Sequence, residues 1–187
     1  MNKLLKLELA AVDWSSMRVM EGIDAARIPT AVERLVSAES EEEAREAYWQ
    51  LDNTVVVQGQ LFEAAQHLVP ALHAALVGEL ASPAREAIAD LLVEICAGEA
   101  DESEVALGNE QLGDSCRAAV SEGIWLMYGL LLDQDPRTRR WGVLIIHVAD
   151  RNRDRAARTI RHLAQNDPDE SVRKEAETAL AALDRGS

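Results

Sequence analysis

Aromatic residues and cysteines are scarce in this chain of 187 residues. Phe, Trp and Tyr make up 4% of the sequence, and there are two cysteines, Cys96 and Cys116. Two cysteines make neither a disulfide framework nor a zinc knuckle, so the sequence predicts no metal site and a reducing, cytoplasmic location. Few aromatics beside abundant Ala, Leu and Glu favour helices over sheets, because these residues lose little conformational freedom in a helix.

Long apolar stretches are also missing. The longest run extends from Gly123 to Leu132, about half the length that a membrane-spanning helix needs. Charged residues at Lys3, Lys6 and Glu8 interrupt any signal-peptide core near the N-terminus. We therefore expect a soluble protein with neither a membrane span nor a secretion signal.

Basic residues are few, above all in the middle of the chain. The formal net charge is −14, from 33 acidic and 19 basic residues. Residues 99–135 hold nine acidic residues and a single base, Arg117, whereas residues 136–187 carry a small excess of base. Because such an acidic body repels a phosphate backbone, nucleic acid is not expected as a partner. The same charge attracts a basic protein.

Capping residues and prolines recur at the starts of the predicted helices. Ser82-Pro83, Asp135-Pro136 and Asp167-Pro168 each place a capping side chain before proline at the first helical position. Ser40 precedes three glutamates, of which Glu43 completes a capping box. Together with the apolar periodicity, these signals predict helices near 13–21, 29–38, 41–56, 60–78, 83–97, 115–132, 137–149, 153–165 and 169–184.

An internal repeat relates two of these helices. The stretch DPDESVRKEAETALAAL begins at Asp167, and PRTRRWGVLIIHVA aligns with its helix 34 residues earlier. In this register Thr138 matches Val172 and Ile146 matches Leu180. An arginine recurs at matching positions of four copies, which are Arg45, Arg85, Arg139 and Arg173. Repetition of this kind is typical of a solenoid, in which stacked helical hairpins bury one continuous core.

The last copy, D-P-x-x-x-V-R-x-x-A-x-x-A-L, resembles the second helix of a HEAT repeat of the PBS-lyase type. The first half of the chain is similar to bacterial HEAT-repeat proteins in Trp14, in Pro29 and in the segment Q-G-x-x-x-x-A-A-x-x-x-V-P-x-L at 58–72. The resemblance implies an all-α, right-handed α-α superhelix (a HEAT/ARM-like solenoid) of about four helical hairpins, forming one domain over 1–187. HEAT motifs specify a fold and not an activity.

An acidic insertion at 98–115 interrupts the repeat, because Arg85 and Arg139 are 54 residues apart instead of 34. The insertion contains three glycines, no base, and the acids Glu99, Asp101, Glu102, Glu104, Glu110 and Asp114. Long interruptions in repeat proteins are typically either functional or disordered. We interpret these acids as a docking arm for a basic partner, with a merely solvated loop as the alternative.

A second candidate partner site lies at the end of the helix over 41–56. Tyr48, Trp49, Asp52 and Asn53 stand where a HEAT repeat lines the concave face of its stack. Aromatic and amide groups suit the centre of a protein interface. The alternative is that the aromatic pair is simply buried.

Sequence motifs for catalysis are missing: the chain has no Gly-rich phosphate loop, no HExxH and no GxSxG. Neither an enzyme nor a cofactor is therefore expected. Since the family that it resembles includes toxin-neutralising members, we expect an immunity protein that occludes the active site of a basic toxin domain such as a nuclease. A general HEAT-repeat scaffold is the alternative. A third is a HEAT-like nucleic-acid enzyme that acts through the arginines of 137–161. Acids alternate with these arginines in the sequence, so we interpret them instead as members of structural Arg-Asp pairs.

Overall fold

The computed structural model describes residues 2–185. Over these residues the chain is mostly helical, which confirms the predicted all-α class at the level of secondary structure. The chain forms two compact units, unit 1 (Met1–Val120) and unit 2 (Ser121–Ser187). The single repeat domain over 1–187 stays a prediction.

Unit 1 is built from helices that pack in pairs. α2 packs on α3, α1 on α4, and both α3 and α4 on α5. Leucines and isoleucines from most of these helices are fully buried, among them Leu35, Leu51, Leu68 and Ile88. The helices are α1 (Lys3–Ala10), α2 (Ile28–Ser37), α3 (Glu41–Val55), α4 (Ala64–Leu76), α5 (Ser82–Ala97), α6 (Glu102–Ala106) and α7 (Leu112–Glu122), with 3₁₀ turns at Trp14–Ser16 and Ala25–Arg27.

The predicted helix over 13–21 is wrong. Only Trp14–Ser16 adopt a helical conformation, as a single 3₁₀ turn. Asp13 explains the difference, because its carboxylate accepts a hydrogen bond from Ser15 Oγ at 2.6 Å and its carbonyl accepts one from Ser16 Oγ at 2.8 Å. Such local side-chain bonds compete with the backbone hydrogen bonds of a helix.

α1 was not predicted from the sequence. Asn2 Oδ1 caps this helix by accepting a hydrogen bond from Leu5 N–H at 2.8 Å. Asn2 Nδ2 also donates to the carbonyl of Ala74 in α4, at 2.7 Å. Only Leu5 and Leu9 of this helix are buried, so its apolar pattern is too short to identify it. Its position therefore depends on packing against α4.

Two of the four predicted capping starts, at Ser40 and Asp135, are found in the structure, whereas α5 begins at Ser82 itself and has Ala81 as its N-cap. Ser40 Oγ accepts from Glu43 N–H and the Glu43 carboxylate accepts from Ser40 N–H, both at 3.2 Å, so the capping box is confirmed. The Asp135 carboxylate caps the helix that begins at Pro136, by accepting from the N–H two residues later at 2.9 Å. The cap predicted at Asp167 is wrong, because Asp169 accepts from the first turn of that helix instead, at 2.8 Å.

A small sheet interrupts the helices of unit 1. β1 (Val56–Val57) and β2 (Gln60–Leu61) form an antiparallel hairpin, and β3 (Glu99–Ala100) pairs with β2 in parallel. Gln58 and Gly59 join the hairpin with φ angles of 52° and 79°. Positive φ at both central residues is what a two-residue type I′ turn requires, and glycine adopts it without strain. Two-residue strands leave no periodicity in a sequence, so none was predicted.

Unit 2 contains α8 (Ile124–Leu130), α9 (Pro136–Ala149), α10 (Arg153–Asn166) and α11 (Glu170–Arg185). The helix predicted over 115–132 is divided at Gly123 into α7 and α8. α9 and α10 both pack on α11, and α8 packs on α9. Thr138 and Val172, which the 34-residue register aligned, are both fully buried.

The 34-residue register is confirmed by matching hydrogen bonds. Arg139 Nη1 donates to the carbonyls of the residues six and five positions before it, at 2.9 and 3.1 Å. Arg173 Nη1 makes the same two bonds, at 2.7 and 3.0 Å. Each arginine therefore secures the turn that precedes its own helix. This is the physical reason for an arginine at that position of the repeat.

A shorter repeat, missed in the sequence, underlies this register. Asp133, Asp150 and Asp167 are spaced 17 residues apart. Each carboxylate accepts a hydrogen bond from the backbone N–H two residues later, at 2.8 to 2.9 Å. The same aspartate turn thus precedes α9, α10 and α11. The repeating element of unit 2 is a single helix with its turn, and two elements make the 34-residue period.

Candidate functional site

The C-terminal half of α3 carries the first group of predicted partner residues, and the structure separates their roles. Tyr48 is buried, whereas Trp49 is 51% exposed. Their rings meet edge to face, with centroids 5.2 Å apart. Asn53 Nδ2 donates to the carbonyl of Trp49 at 2.9 Å, and Tyr48 OH donates to the Asp52 carboxylate at 3.4 Å. Trp49 is therefore the surface residue of the pair, and it packs against the buried ring of Tyr48.

Asp52 belongs to an acidic cluster that extends onto α5. The acidic cluster consists of Asp52, Asp90 and Glu94. Burial, followed by repulsion from Glu94 and Asp52, raises the pKa of Asp90 to about 7. Burial and repulsion from Glu94 raise the pKa of Asp52 as well. Burial and the surrounding carboxylates raise the pKa of the Tyr48 hydroxyl. The three carboxylates are half-buried on helices that pack against each other, so they repel one another.

Asp90 and Glu94 were not predicted, although the sequence carries a signal for them. Glu86, Asp90 and Glu94 are spaced four residues apart and lie on one face of α5. Like charges four residues apart repel each other and destabilise a helix. A stripe of this kind on a half-buried helix face is therefore costly, and it marks a position where a cation would be stabilised.

Asp90→Asn is expected to stabilise the protein by about 1–2 kcal/mol near pH 8, since partial solvent exposure screens the repulsion. Folding raises the pKa of Asp90 to about 7. The native state therefore keeps a proton that the unfolded state has released, and stability falls as the pH rises from about 4 toward 7. Near pH 4 the substitution should change stability little. Urea denaturation of both proteins near pH 4, 6 and 8 measures the difference.

Two controls isolate the contribution of Asp90. His73 works in the opposite direction over the same range, because burial lowers its pKa to about 4 and stability then rises with pH. His73 is present in both proteins, so its contribution cancels in the difference between them. Glu33→Gln removes one exposed acid of the same unit and is the control for the loss of a single negative charge. If the difference in stability between Asp90→Asn and the original protein stays constant with pH, the raised pKa of Asp90 is contradicted.

The insertion at 98–115 is folded. It contains β3, α6 and the start of α7. Glu104 is 1% exposed, and its carboxylate accepts from Arg18 Nε and Nη2 at 3.1 and 2.8 Å, from Glu63 N–H at 3.0 Å and from Asn109 Nδ2 at 2.9 Å. Burial by itself would raise the pKa of Glu104, but these hydrogen bonds outweigh it and hold the pKa below its usual range. The proposed partner contact at Glu104 is therefore corrected: its carboxylate is occupied within unit 1.

The other acids of the insertion lie nearer the surface. Glu99 and Asp114 both pair with Arg117, at 3.2 and 2.9 Å. Asp101 caps α6 by accepting from the N–H of Ser103 at 2.9 Å. Glu99, Asp114, Glu102 and Glu110 are exposed and Asp101 is half-buried. The insertion thus presents acids on a folded surface, and their role as partner contacts stays a prediction.

Charge is divided unevenly between the two units. Unit 1 contains 22 acidic and 8 basic residues, and unit 2 contains 11 of each. The whole net charge of −14 therefore belongs to unit 1. Four of the ten arginines of unit 2 form ion pairs of the kind that the sequence indicated, which are Arg137–Asp135, Arg139–Asp167, Arg140–Glu175 and Arg155–Asp150.

Two grooves in unit 1 adjoin the predicted residues. A cavity of about 550 Å³ between α2 and α3 is lined by Trp49, Asn53 and Ile23. A second, of about 650 Å³, is lined by Ile23, Asp101 and Leu107. Ile23 and Leu107 are 41% and 66% exposed. Ile23 lines both grooves, so the two sets of predicted residues border neighbouring grooves although they are far apart in sequence.

Cys96 and Cys116 are both buried, and neither forms a disulfide. Burial raises the pKa of the Cys96 and Cys116 thiols to about 12, which leaves them protonated and poorly nucleophilic at neutral pH. Over residues 2–185, no group of three or more His, Cys, Asp or Glu side chains is arranged to hold a metal ion. None of the helices that the structure describes is long and apolar enough to cross a membrane.

Comparison of the chain with protein-family models, with curated proteins and with solved structures finds no match.

Proposed function

We propose that this protein is a HEAT-like solenoid that binds a basic protein partner through unit 1. The observation that carries the proposal is that unit 1 holds the entire net charge of −14, with Asp52, Asp90 and Glu94 half-buried on the packed helices α3 and α5. A lysine or arginine of the partner placed among these carboxylates would relieve their repulsion. Binding would then release the proton that Asp90 holds near neutral pH.

The neighbouring surface suits the rest of such an interface. Trp49 and Ile23 expose apolar area on the same unit, and both border the groove between α2 and α3. Aromatic anchors beside charged groups are typical of the residues that contribute most to binding energy. Long-range attraction from the net charge raises the association rate and makes it sensitive to salt.

The particular function that we propose is immunity: the protein covers the basic active site of a toxin domain, such as a nuclease, and so neutralises it. The support for this is the resemblance of the sequence to bacterial HEAT-repeat proteins, together with the acidity of unit 1. The alternative is a general HEAT-repeat scaffold that binds basic segments of other proteins. The two differ in whether the partner is toxic when it is produced alone.

The test begins with the product of the adjacent gene, expressed alone and together with this protein. Toxicity that disappears on co-expression, with copurification of the two proteins, is the expected result. Asp90→Asn combined with Glu94→Gln should then weaken binding by about 10- to 100-fold in calorimetry, because the partner's cation loses its buried counter-charges. Glu33→Gln combined with Glu79→Gln removes two exposed acids of the same unit and is the matched control.

The possible results test the immunity function and the role of the acidic cluster separately. An adjacent product that is harmless and does not bind would refute the immunity function. Binding that both double variants weaken equally would mean that overall charge, and not the acidic cluster, attracts the partner. Binding that neither weakens would remove the cluster from the interface.

A further inference from the structure

An exposed aromatic and arginine stack lies in unit 2, in a region where the sequence predicted only structural pairs. Trp125 of α8 is 68% exposed. The Arg155 guanidinium of α10 lies 4.6 Å from the centroid of the Trp125 ring and 5.3 Å from that of Tyr128. The two rings are themselves 5.4 Å apart. A stack of this composition combines the three residue types most enriched among the binding hot spots of protein interfaces.

A buried carboxylate holds the stack in place. The side chain of Asp150 is 1% exposed and accepts from Arg155 Nε and Nη2 at 2.9 and 2.7 Å. Tyr128 OH donates to the same carboxylate at 2.7 Å. Both the guanidinium and the phenol are therefore fixed before any partner arrives. Fixed side chains lose little entropy on binding, so more of the contact energy contributes to affinity.

The surface that follows Trp125 along the chain is open. Gly129 follows one turn later, and a Cβ built there would meet no atom within 4 Å. Leu132 follows at the next turn and is 86% exposed. Trp125 and Gly129 are four residues apart and lie on one side of α8, and Leu132 lies in the turn that follows this helix. We call Trp125, Gly129 and Leu132 the Trp125 platform.

Cations continue from the stack along α10. Arg158 and Arg161 follow Arg155 at intervals of three residues, so the three lie on neighbouring turns. Both are exposed, and neither takes part in an ion pair with another of the described residues. α10, whose Arg155 contacts Trp125, therefore carries positive charge that is available for a partner.

We propose that the Trp125 platform and the adjacent arginines of α10 bind an acidic segment of a protein partner. An apolar side chain of that segment would pack on Trp125 and Leu132, and its carboxylates would pair with Arg158 and Arg161. The proposal does not depend on the function proposed for unit 1. If both hold, the protein joins a basic partner and an acidic one.

A protein segment fits these observations better than a nucleic acid. Affinity for nucleic acid depends on the number of phosphates neutralised, and specific binders typically contact about 6–10 of them. Here Arg155 is already paired with Asp150 and Arg153 donates to the carbonyl of His147, which leaves Arg158 and Arg161 on α10. The net charge of −14 would also repel a phosphate backbone.

The test uses the full chain labelled with ¹⁵N and a short synthetic peptide in which glutamates flank a Phe-Leu pair. The chain has four tryptophans, and Trp125→Phe assigns the indole N–H resonance of Trp125. Titration should move this resonance saturably and leave that of Trp49 in place. Trp125→Ala should lower the affinity by at least about tenfold, whereas Trp49→Ala, which removes the exposed tryptophan of unit 1, should not change it.

Gly129→Gln tests whether the peptide binds at the Trp125 platform, and it should not destabilise the protein. Its Cβ has free space and glutamine is a better helix former than glycine, so the variant should fold normally while its side chain blocks the platform. Failure of the peptide to move the Trp125 resonance would overturn the proposal. So would equal binding of a peptide with lysines in place of glutamates, or tighter binding of single-stranded oligothymidylate. Self-association that Trp125→Ala abolishes would identify a second copy as the occupant and equally overturn it.

Discussion

Asp167→Asn should destabilise the protein by about 3–5 kcal/mol, the largest effect that we expect from a single substitution. Arg139 and Asp167 are 8% and 6% exposed, and they form two charged hydrogen bonds, from Nε at 3.0 Å and from Nη2 at 2.8 Å. Asparagine keeps the shape of the side chain and an oxygen for the Asp169 N–H, but it leaves the guanidinium buried without a counter-charge. Urea denaturation of the variant and the original protein at neutral pH measures the loss.

An exposed pair in the same unit is the matched control. Lys174 and Glu170 lie 2.8 Å apart, but their side chains are 72% and 70% exposed. Glu170→Gln should therefore change stability by less than about 1 kcal/mol. Adding Arg139→Met to Asp167→Asn should recover part of the loss, because it removes the unpaired charge. If Asp167→Asn costs no more than Glu170→Gln, the buried pair does not hold the repeat together.

Glu104→Ala has the second largest expected effect, a loss of about 3 kcal/mol. The Glu104 carboxylate joins three separate segments of unit 1, because it binds Arg18, the backbone of Glu63 and Asn109. Hydrogen bonds to charged groups contribute about 1.5–3 kcal/mol each, and removing the carboxylate leaves buried donors without an acceptor. Thermal and urea denaturation at pH 7 should both show the loss.

The pH dependence of this loss provides a second measurement. The pKa of Glu104 is held below its ordinary value of 4.5. Its contribution to stability is therefore present above that value and disappears as the pH falls through the lower, folded pKa. The difference in the free energy of unfolding between Glu104→Ala and the original protein should therefore become smaller in acid. A difference that is the same at pH 7 and in acid would show that the charge of Glu104 is not what stabilises the insertion.

The neighbouring acids provide the comparison for Glu104. Glu102→Ala removes an exposed carboxylate two residues away and should change stability by less than about 0.5 kcal/mol. Replacing the other acids of the insertion with serine should likewise leave unit 1 folded, provided that Glu104 is spared. Equal effects of Glu102→Ala and Glu104→Ala would refute the structural role of Glu104.

Much of the helical structure could be predicted from local signals. The capping box at Ser40 and the Asp135-Pro136 start depend on residues within a few positions of each other, and both are found in the structure. The 34-residue register could also be read, because equivalent residues face equivalent neighbours in each copy. α1 and the small sheet could not, since each owes its position to packing against residues elsewhere in unit 1.

The candidate site was predicted only in part. Composition alone indicated an acidic protein, and α3 was correctly identified as a helix that carries exposed Trp49. The sequence did not indicate that Asp52 lies near carboxylates of α5, because that proximity comes from the packing of α3 on α5. The Trp125 stack was missed for the same reason: Trp125 and Arg155 are separated by 30 residues of sequence.

The sequence by itself determined the helical class, the repeat register and the excess of acid, because these depend on spacing and composition. Tertiary structure decided which acids meet, which are free and which are buried. Glu104 is the clearest case, since nothing in its neighbourhood distinguishes it from Glu102, yet Arg18, 86 residues away, takes its carboxylate. Burial and pairing set the energy of a charge, and both depend on how the helices pack.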